Sequence, residues 1–529
     1  MKKNFTTLIF LSLLFALATP VLTRASDKFA PPTMFVTPPA PQFTDAERQA
    51  ELARRRAAVF SRMQPNSLMI LWSAAPRNYA GDVDFLYRQE NNLYYLTSLK
   101  QKSATLVLVK NADGAAQEFL FLPKRNPAAE TWNGKMYSNE DAARISGLKT
   151  IIDAAELPVF LQSLKDKKDF TAKTDVKIGV GNLENVYLLL PEDERDGDGM
   201  AEFNRENDFA KTLTNYKIIN ARAGATDIFG DLRQVKSAYE LKLLQHAIDI
   251  TTEAQERAMA TAKNAKWEYE TQAEIEYIFR KRNADYWGYP SIVGCGENAT
   301  TLHYEEAQGA VRPGDLLLMD VGAEYDHYTA DVTRTFPVNG KFSNEQADIY
   351  QIVYDAQEAA AKTIKPGANS GDPGKAAVNV LKQGLAKLGL ITAPDATVEF
   401  IFNGQKYTRP QYTIWFMHGW GHWLGMNVHD VGAYGVPLKA GMVTTNEPGI
   451  YVRADALDYL PDTPANRDFI AKVKPAFEKY KNIGVRIEDD MLVTDTGAEW
   501  LTKNLPRSIS DIEAFIAKNS MPSDSVEPH

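Results

Sequence analysis

The chain has 529 residues, 44% hydrophobic and 24% charged, which is the composition of an ordinary globular protein long enough for two or more domains. A net charge of −9 and the lack of a basic run argue against nucleic-acid binding. Cys295 is the only cysteine, which excludes a disulfide framework and a thiolate metal cluster, so any metal needs carboxylate and imidazole ligands.

Residues 1–25 have the pattern of a secretory signal peptide. "MKK" supplies a basic start, an apolar stretch runs from Leu8 to Leu17, and "TRA" ends at Ala25 as a small-residue processing site. This stretch is too short to span a bilayer, although a membrane anchor or a buried N-terminal helix is the alternative. The sequence therefore predicts export to the periplasm or the extracellular space, with no membrane span in the mature chain.

The remaining chain divides by pattern into a leader, two domains and a tail. Residues 26–44 are rich in proline and predict an extended leader. Residues 45–222 begin with a charged helical segment, followed by strand-like runs such as "SLMILWSA", "SATLVLVK" and "QEFLFLP", which indicate an α/β domain. A second domain is predicted over 231–505, and residues 506–529 are predicted to form a loose C-terminal tail.

The second domain opens where the apolar period changes to 3.6 residues. Leu241, Leu244, Ile248 and Thr251 fall on one stripe and predict a long helix that begins near Asp231. Segments rich in strands and further helices follow, so the fold class of the whole chain is α/β (α+β).

A predicted hairpin in this domain carries two aspartates. Asp320 and Asp331 lie eleven residues apart in apolar runs that flank a polar turn. Opposite residues in a hairpin have a constant index sum, here 651, which places the turn at Tyr325–Asp326 and the two Cβ atoms roughly 5 Å apart. Like charges this close repel unless a cation lies between them. The alternative is that one aspartate caps the turn.

Three further segments offer polar side chains with weaker signals. In "NIGVRIEDDMLVT", Arg486 and Glu488 share one face of a strand, as happens in ordinary surface strands. "TTNEPGIY" places Glu447 at a strand-to-loop transition, and "NATTLHYEE" offers His303.

The segment "HGWGHWLGMNVHDVG" contains His418, His422 and His429. Its glycines make a continuous helix costly, at about 1 kcal/mol each relative to alanine. Gly419 stands where the zinc-protease motif needs a glutamate. The spacing of four is therefore not that of a helical zinc pair. The residues alone leave open which histidine binds metal, and a lone histidine is more often structural than a ligand.

Together and in order, these segments resemble the metal-binding segments of the pita-bread metallopeptidases, in the Xaa-Pro aminopeptidase P and prolidase branch. "SIVGCGENATTLHY" resembles the segment with that branch's substrate histidine, and "DVDFLYRQENNLYYLTS" and "AETWNGKMYS" resemble its N-terminal domain. The resemblance covers about residues 45–503. It implies an aminopeptidase P-like α/β domain followed by a C-terminal pita-bread (creatinase/aminopeptidase) domain.

The resemblance implies a dinuclear metal site with five ligands. Asp331 and Glu488 would bridge the two metals, Asp320 would bind one, and His422 with Glu447 would bind the other. Four carboxylates carry a charge of −4, which two divalent cations cancel, and this oxygen-rich set suits Mn²⁺. Two such cations would lower the pKa of a bridging water enough to form hydroxide, the expected nucleophile, and would stabilise the oxyanion.

The same resemblance gives other residues substrate-binding or proton-handling roles. Glu447 would carry a proton to the leaving nitrogen, and His429 and His303 would donate to the carbonyl oxygen or the oxyanion. His418 would contact the substrate. Arg486, which shares the strand face of Glu488, would orient that carboxylate.

Recognition of proline requires a pocket of matching shape, because the tertiary amide nitrogen has no N–H to bind. His418 and the nearby Trp415, Trp420 and Trp423 are candidates for its lining. Core packing is the alternative for each tryptophan.

The implied activity is that of an exported metallo-exopeptidase that hydrolyses the N-terminal Xaa-Pro bond of peptides with proline at the second position, as a homodimer or homotetramer. A prolidase restricted to Xaa-Pro dipeptides is the close alternative. A metal-free pita-bread binding module is disfavoured because all five ligand types are present. The connection at 452–482 is longer than the family implies, and we expect it to shape the mouth of the site.

Overall fold

The computed structural model describes residues 34–191, 203–222, 224 and 227–521. The predicted signal peptide lies outside these residues, as does the first part of the leader. The rest of the leader runs without regular secondary structure to helix α1 (Asp45–Arg62). The Thr44 hydroxyl accepts from the Glu47 N–H and the Glu47 carboxylate accepts from the Thr44 N–H, so a capping box fixes this start. Among the described residues, no helix combines the length and apolar character needed to cross a membrane.

The first domain is an α/β layer arrangement. Its strands are β1 (Ser67–Trp72), β2 (Asn78–Ala80), β3 (Val83–Asp84), β4 (Thr105–Lys110), β5 (Ala116–Leu122), β6 (Ile151–Asp153), β7 (Phe170–Thr171), β8 (Lys177–Ile178), β9 (Asn185–Leu188) and β10 (Lys217–Asn220). Its other helices are α2 (Asn91–Thr97), α3 (Pro127–Asn133), α4 (Asn139–Ser146), α5 (Leu157–Lys165) and α6 (Asn204–Thr212). The main sheet has the order β10-β9-β1-β4-β5-β6. The strands predicted from the three apolar runs are therefore confirmed as β1, β4 and β5.

Both faces of this sheet are buried. Leu68 and Ile70 of β1 enter one apolar core, and Met69 and Leu71 enter another, because successive side chains of a strand alternate between faces. Continuous apolar runs such as "LMIL" are typical of strands covered on both sides.

The second domain begins with helix α7 (Ile228–Arg233) and the long helix α8 (Ala238–Thr261). A capping box between Ser237 and Glu240 starts α8, seven residues after the predicted position. Of the predicted stripe, Leu244, Ile248 and Thr251 are fully buried, and Leu241 is partly buried against the adjoining core. The remaining helices are α9 (Glu268–Lys281), α10 (Asn344–Ala361), α11 (Asp372–Leu388), α12 (Pro464–Tyr480) and α13 (Ile509–Asn519).

Short antiparallel sheets form the centre of this domain. Their strands are β11 (Tyr286–Trp287), β12 (Ile292–Cys295), β13 (Leu316–Val321), β14 (Ala323–Tyr325), β15 (Tyr328–Thr329), β16 (Val332–Pro337), β17 (Thr397–Phe402), β18 (Gln405–Pro410), β19 (Val443–Asn446), β20 (Gly449–Tyr451), β21 (Gly484–Arg486), β22 (Asp489–Val493) and β23 (Ala498–Trp500). The sheets relevant to the site are β12-β13-β16, β19-β22-β23 and β20-β21.

The predicted hairpin exists, but its register was wrong by two residues. Asp320 pairs with Thr333, an index sum of 653 rather than 651. The turn is formed by Asp326 and His327, which both have positive φ, at 49° and 68°. Two consecutive left-handed residues make the tight turn that matches strand twist. Because the side-chain period is two, this shift leaves Asp331 on the predicted face.

The C-terminal segment is not a loose tail as far as residue 521. Ile512 and Ile516 of α13 are buried in the core of the second domain. Their spacing of four places them on one helical stripe, so the prediction of a loose tail was wrong for this part of the chain.

The long connection at 452–482 contains helix α12, which is attached to the hairpin formed by β17 and β18. The Asn466 side chain donates to the Glu399 carbonyl and accepts from the Glu399 N–H, both at 3.0 Å. Asn466 is buried, so these bonds join the two segments into one unit.

Candidate metal centre

Five separate segments of the second domain bring carboxylates and one imidazole together. The contributing positions are the end of β13, the link before β16, the histidine-rich loop, the link after β19 and the link between β21 and β22. They carry, in that order, Asp320, Asp331, His422, Glu447 and Glu488.

Three of these residues form a compact group. Asp331, His422 and Glu488 each offer a ligand atom, and all three atoms lie within 4.8 Å of one another. His422 Nε2 lies 3.2 Å from Asp331 Oδ2 and 3.5 Å from Glu447 Oε1. Asp331 and Glu488 are buried, so their charges have little access to solvent.

Asp320 joins the group through Tyr289. The phenol oxygen of Tyr289 lies 2.6 Å from Asp320 Oδ1 and 2.5 Å from Asp331 Oδ1. The five residues that the resemblance implies as ligands therefore converge, and their individual roles stay predictions.

The electrostatics of this group favour bound cations. Burial, together with the neighbouring Asp320, raises the pKa of Asp331 well above its usual range. Burial and the charge of Asp331 do the same to the pKa of Glu488. A carboxylate whose pKa rises among other carboxylates lacks a compensating positive charge. Divalent cations supply that charge, so the donor set fits them.

One ring nitrogen of His422, Nε2, is oriented so that it could bind a metal ion. The Nδ1 of His422 lies 3.1 Å from the Trp423 carbonyl oxygen, so Nδ1 is placed to donate to that carbonyl while Nε2 faces Asp331. This arrangement, in which a backbone carbonyl fixes the tautomer, is usual for a histidine that binds metal.

The histidine-rich loop is irregular, as its glycines predicted. A Cβ built on Gly421 would lie 2.3 Å from the Thr445 carbonyl oxygen. Only glycine allows this approach, which brings His422 beside the strand that leads to Glu447. His418 and His422 therefore do not form a helical pair.

The pKa of Glu447 is shifted in the opposite direction to the pKa values of Asp331 and Glu488. Burial would raise its pKa, but the hydrogen bond and the charge of His418, together with His422 and Arg486, lower it to about 2. His418 Nδ1 lies 3.4 Å from Glu447 Oε2. Glu447 is thus held as an anion at neutral pH.

The other histidines lie around this group. His418 Nε2 is 2.8 Å from the Tyr451 hydroxyl, and the His429 ring centroid is 4.1 Å from that of His422. His303 is exposed and close enough to His429 for the two rings to interact electrostatically.

Arg486 contacts Asp320 rather than Glu488. Its Nη2 lies 2.5 Å from Asp320 Oδ2, and its Nε donates to Thr333 Oγ1 at 3.2 Å. The Thr333 hydroxyl in turn donates to Glu488 Oε2 at 2.7 Å. Because β21 ends at Arg486, the shared strand face predicted for Arg486 and Glu488 is interrupted, and the link between them runs through Thr333.

Sequence reasoning missed Tyr289, Thr333 and Tyr451 at the site. Thr333 lies two residues after Asp331 on the same strand face, a signal that the pattern offered. Tyr451 ends the "NEPGIY" segment. Tyr289 precedes a proline before β12, and no local pattern marks it.

Two of the three candidate tryptophans belong to the core. Trp415 and Trp423 are buried at 0% and 2% exposure, so core packing accounts for both. Trp420 is half-buried and lines a pocket of about 310 Å³ beside the site. His418 and Arg409 also line this pocket.

Comparisons with known proteins match both domains. Residues 242–495 match metallopeptidase family M24, and residues 52–171 match the aminopeptidase P N-terminal domain. The Xaa-Pro aminopeptidase of Haemophilus influenzae is 34% identical over 468 residues, covering 88% of this chain and 96% of the relative. That of Escherichia coli is 33% identical over 471 residues, covering 88% and 97%.

Solved structures agree with these matches. E. coli aminopeptidase P with the inhibitor Pro-Leu has a TM-score of 0.71 at 32% identity, covering 89% of this chain and 98% of that chain. Pseudomonas aeruginosa aminopeptidase PepP gives the same TM-score, identity and coverage.

Proposed function

This chain belongs to metallopeptidase family M24, and from that membership we propose that it removes the N-terminal residue from peptides with proline at the second position. The predicted order of an aminopeptidase P-like domain and a pita-bread domain is confirmed by the family and structure matches. The chain is accordingly a metallo-exopeptidase. The observation that carries the substrate proposal is the group of Asp331, His422 and Glu488, with Glu447 and Asp320 beside it, in a chain similar to Xaa-Pro aminopeptidases over 88% of its length.

We propose that two divalent cations, most suitably Mn²⁺, occupy the cluster. Asp331 and Glu488 would contact both cations, Asp320 would hold one, and His422 with Glu447 would hold the other. Four carboxylates balance two such cations, and hard oxygen donors with one imidazole suit Mn²⁺. When bound, the cations supply a hydroxide near neutral pH and Lewis-acid stabilisation of developing oxyanion charge.

The surrounding side chains would handle protons and orient the peptide. Glu447 lies beside His418 and His422, and we propose that its carboxylate carries the proton to the leaving nitrogen. His429 and His303 would donate to the carbonyl oxygen, and His418 would contact the substrate. Arg486 would hold Asp320 in place through the 2.5 Å contact.

A prolidase limited to dipeptides is the second candidate, since it would use the same cluster. The pocket beside His418 favours the aminopeptidase, because it offers room next to the site for a residue beyond proline. One solved relative, E. coli aminopeptidase P, was crystallised with Pro-Leu, which carries such a residue.

The deciding experiment compares an Xaa-Pro dipeptide with an Xaa-Pro-Yaa tripeptide, each with added Mn²⁺. We expect a higher kcat/KM for the tripeptide, and preference for the dipeptide would establish the prolidase instead. The Glu488→Ala variant should lose all metal-dependent turnover of both peptides. Retained turnover in that variant would overturn the dinuclear assignment.

We further propose that the protein is exported and acts on peptides outside the cytoplasm. The support is the signal-peptide pattern of residues 1–25. Fractionation followed by N-terminal sequencing tests this, with a mature protein in the exported fraction that begins at Ser26 as the expected result.

A further inference from the structure

Arg88 connects the N-terminal domain to two separate segments of the catalytic domain. It lies between β3 and α2, and its Nε donates to Glu324 at 2.8 Å and 3.0 Å from the two carboxylate oxygens. Its Nη2 donates to the Met426 carbonyl at 2.6 Å. Its Nη1 donates to Asn91 Oδ1 at 2.8 Å, which fixes the guanidinium from its own domain.

Both contacted segments carry members of the metal cluster. Glu324 lies on the hairpin between Asp320 and Asp331, and Met426 lies in the loop between His422 and His429. One rigid guanidinium therefore spans the two segments whose separation determines how His422 meets Asp331.

Neighbouring contacts reinforce this connection. Asn91 Nδ2 donates to Asn427 Oδ1 at 2.7 Å, beside the Met426 contact. At the hairpin tip, the Tyr94 ring stacks on the His327 ring with 3.8 Å between centroids, and the Tyr94 hydroxyl donates to Asp326. The N-terminal domain thus holds both the hairpin and the histidine-rich loop.

The pair between Arg88 and Glu324 is costly to break. Glu324 is 5% exposed, and burial raises the pKa of its carboxyl while Arg88 opposes that rise. The Arg88 side chain is 37% exposed, but its removal would leave the buried Glu324 carboxylate without the cation that it contacts, so the hairpin would move to recover hydration.

We propose that Arg88 is a positioning residue for the metal centre, fixing the hairpin of Asp320 and Asp331 against the loop of His422. This inference rests on the proposed function, because it assumes that these residues bind metal. Only arginine suits the position: its planar guanidinium presents donors in several directions, whereas lysine is a point charge. A lysine could pair with Glu324 but could not also reach Asn91 and the Met426 carbonyl.

The test uses the full-length protein with three substitutions: Arg88→Met, Arg88→Lys and, as the matched control, Lys100→Met. Lys100 forms other interdomain ion pairs, 3.1 Å from Asp285 and 3.9 Å from Asp326 at the hairpin tip. It therefore contacts the hairpin but, among the described contacts, not the histidine-rich loop, and it controls for the loss of a cation that does not join the two segments. The measurements are Tm, Mn²⁺ affinity by calorimetry, bound metal after dialysis, and kcat/KM for an Xaa-Pro-Yaa peptide.

We expect Arg88→Met to weaken Mn²⁺ binding and kcat/KM by about 10–100-fold, the usual effect of losing a group that orients metal ligands. Arg88→Lys should recover Tm but not metal affinity. Lys100→Met should keep Mn²⁺ affinity and kcat/KM within about twofold of the wild-type values. Metal affinity that is unchanged in Arg88→Met, or fully recovered in Arg88→Lys, overturns the proposal. Metal binding is measured without substrate, so the test of Arg88 does not depend on peptide cleavage. Failure of the wild type to cleave Xaa-Pro peptides would overturn the proposed function but not the role of Arg88 in metal binding.

Discussion

Asp320 and Asp331 lie on either side of one phenol oxygen, that of Tyr289, at 2.6 Å and 2.5 Å. A phenol has one proton and can donate to one carboxylate at a time. The other short oxygen-to-oxygen contact therefore needs a second proton or a neighbouring cation. Burial and Asp320 raise the pKa of Asp331, which favours a proton on this carboxyl when no cation is bound.

Tyr289→Phe should weaken the metal centre without disturbing the fold. The phenyl ring keeps its packing, but both carboxylates lose the donor that orients them, so metal affinity or kcat/KM should fall by about 10–100-fold. Competition with a fluorescent chelator and peptide kinetics measure the two quantities. Tyr350→Phe is the matched control, since its buried hydroxyl donates at 2.7 Å to the Arg507 carbonyl, away from the cluster. Equal losses in both variants would contradict a specific role for Tyr289.

The stability of the metal-free protein should fall as pH rises. The pKa values of Asp331 and Glu488 are raised on folding, so the native state binds more protons than the unfolded state above the ordinary carboxyl pKa of about 4. Stability from these groups is full below that pH and is lost toward the raised native values. Tm measured in EDTA should therefore fall as the pH is raised above about 5.

Two comparisons isolate the cluster from other titrating groups. Asp331→Asn removes one negative charge, so in EDTA it should have a higher Tm than the wild type at pH 8 and a flatter pH profile. Adding Mn²⁺ should raise the Tm of the wild type only. If Tm depends on pH in the same way in the wild type and in Asp331→Asn, measured in EDTA, repulsion between the clustered carboxylates does not cause the fall in Tm.

The sequence predicted the strands and the hairpin near the site, but it did not predict how the two strands pair. The period of two placed Asp320 and Asp331 on one face, and a shift of two residues preserves that face. The turn position was not predictable, because "EYDHY" lacks the Asn-Gly or Asp-Gly signal of a tight turn. Asp326 and His327 are held in left-handed conformations by contacts with Tyr94 of the other domain.

The spacing of the ligand candidates along the sequence could not predict that they meet in the folded protein. Asp331 and Glu488 are separated by 157 residues in sequence, and their meeting depends on how the sheets pair. That the five segments form one site was predicted from their order along the chain, which resembles the order in a known family. The contacts of Tyr289 and Arg88 are equally non-local, and neither residue lies in a segment whose pattern indicates a polar site.

Ile512→Ala should destabilise the whole catalytic domain, because α13 is part of its core. Ile512 has no exposed surface, and such truncations cost about 2–5 kcal/mol. The free energy of unfolding from urea titration measures the loss. Ala517→Ser on the exposed face of α13 should change it by less than about 0.5 kcal/mol. A small effect of Ile512→Ala would show that this helix is not integral to the core.

Arg409 should contribute to recognition of the peptide beyond proline. It lines the pocket next to His418, and the Phe400 ring supports its guanidinium at 3.8 Å. An exposed charge pair is worth up to about 1 kcal/mol, so Arg409→Met should raise KM for a free-acid Xaa-Pro-Yaa tripeptide by about two- to fivefold. KM for the same peptide with a C-terminal amide should not change. Equal effects on both peptides would mean that Arg409 does not bind the carboxylate, and that this pocket admits the residue beyond proline without recognising its charge.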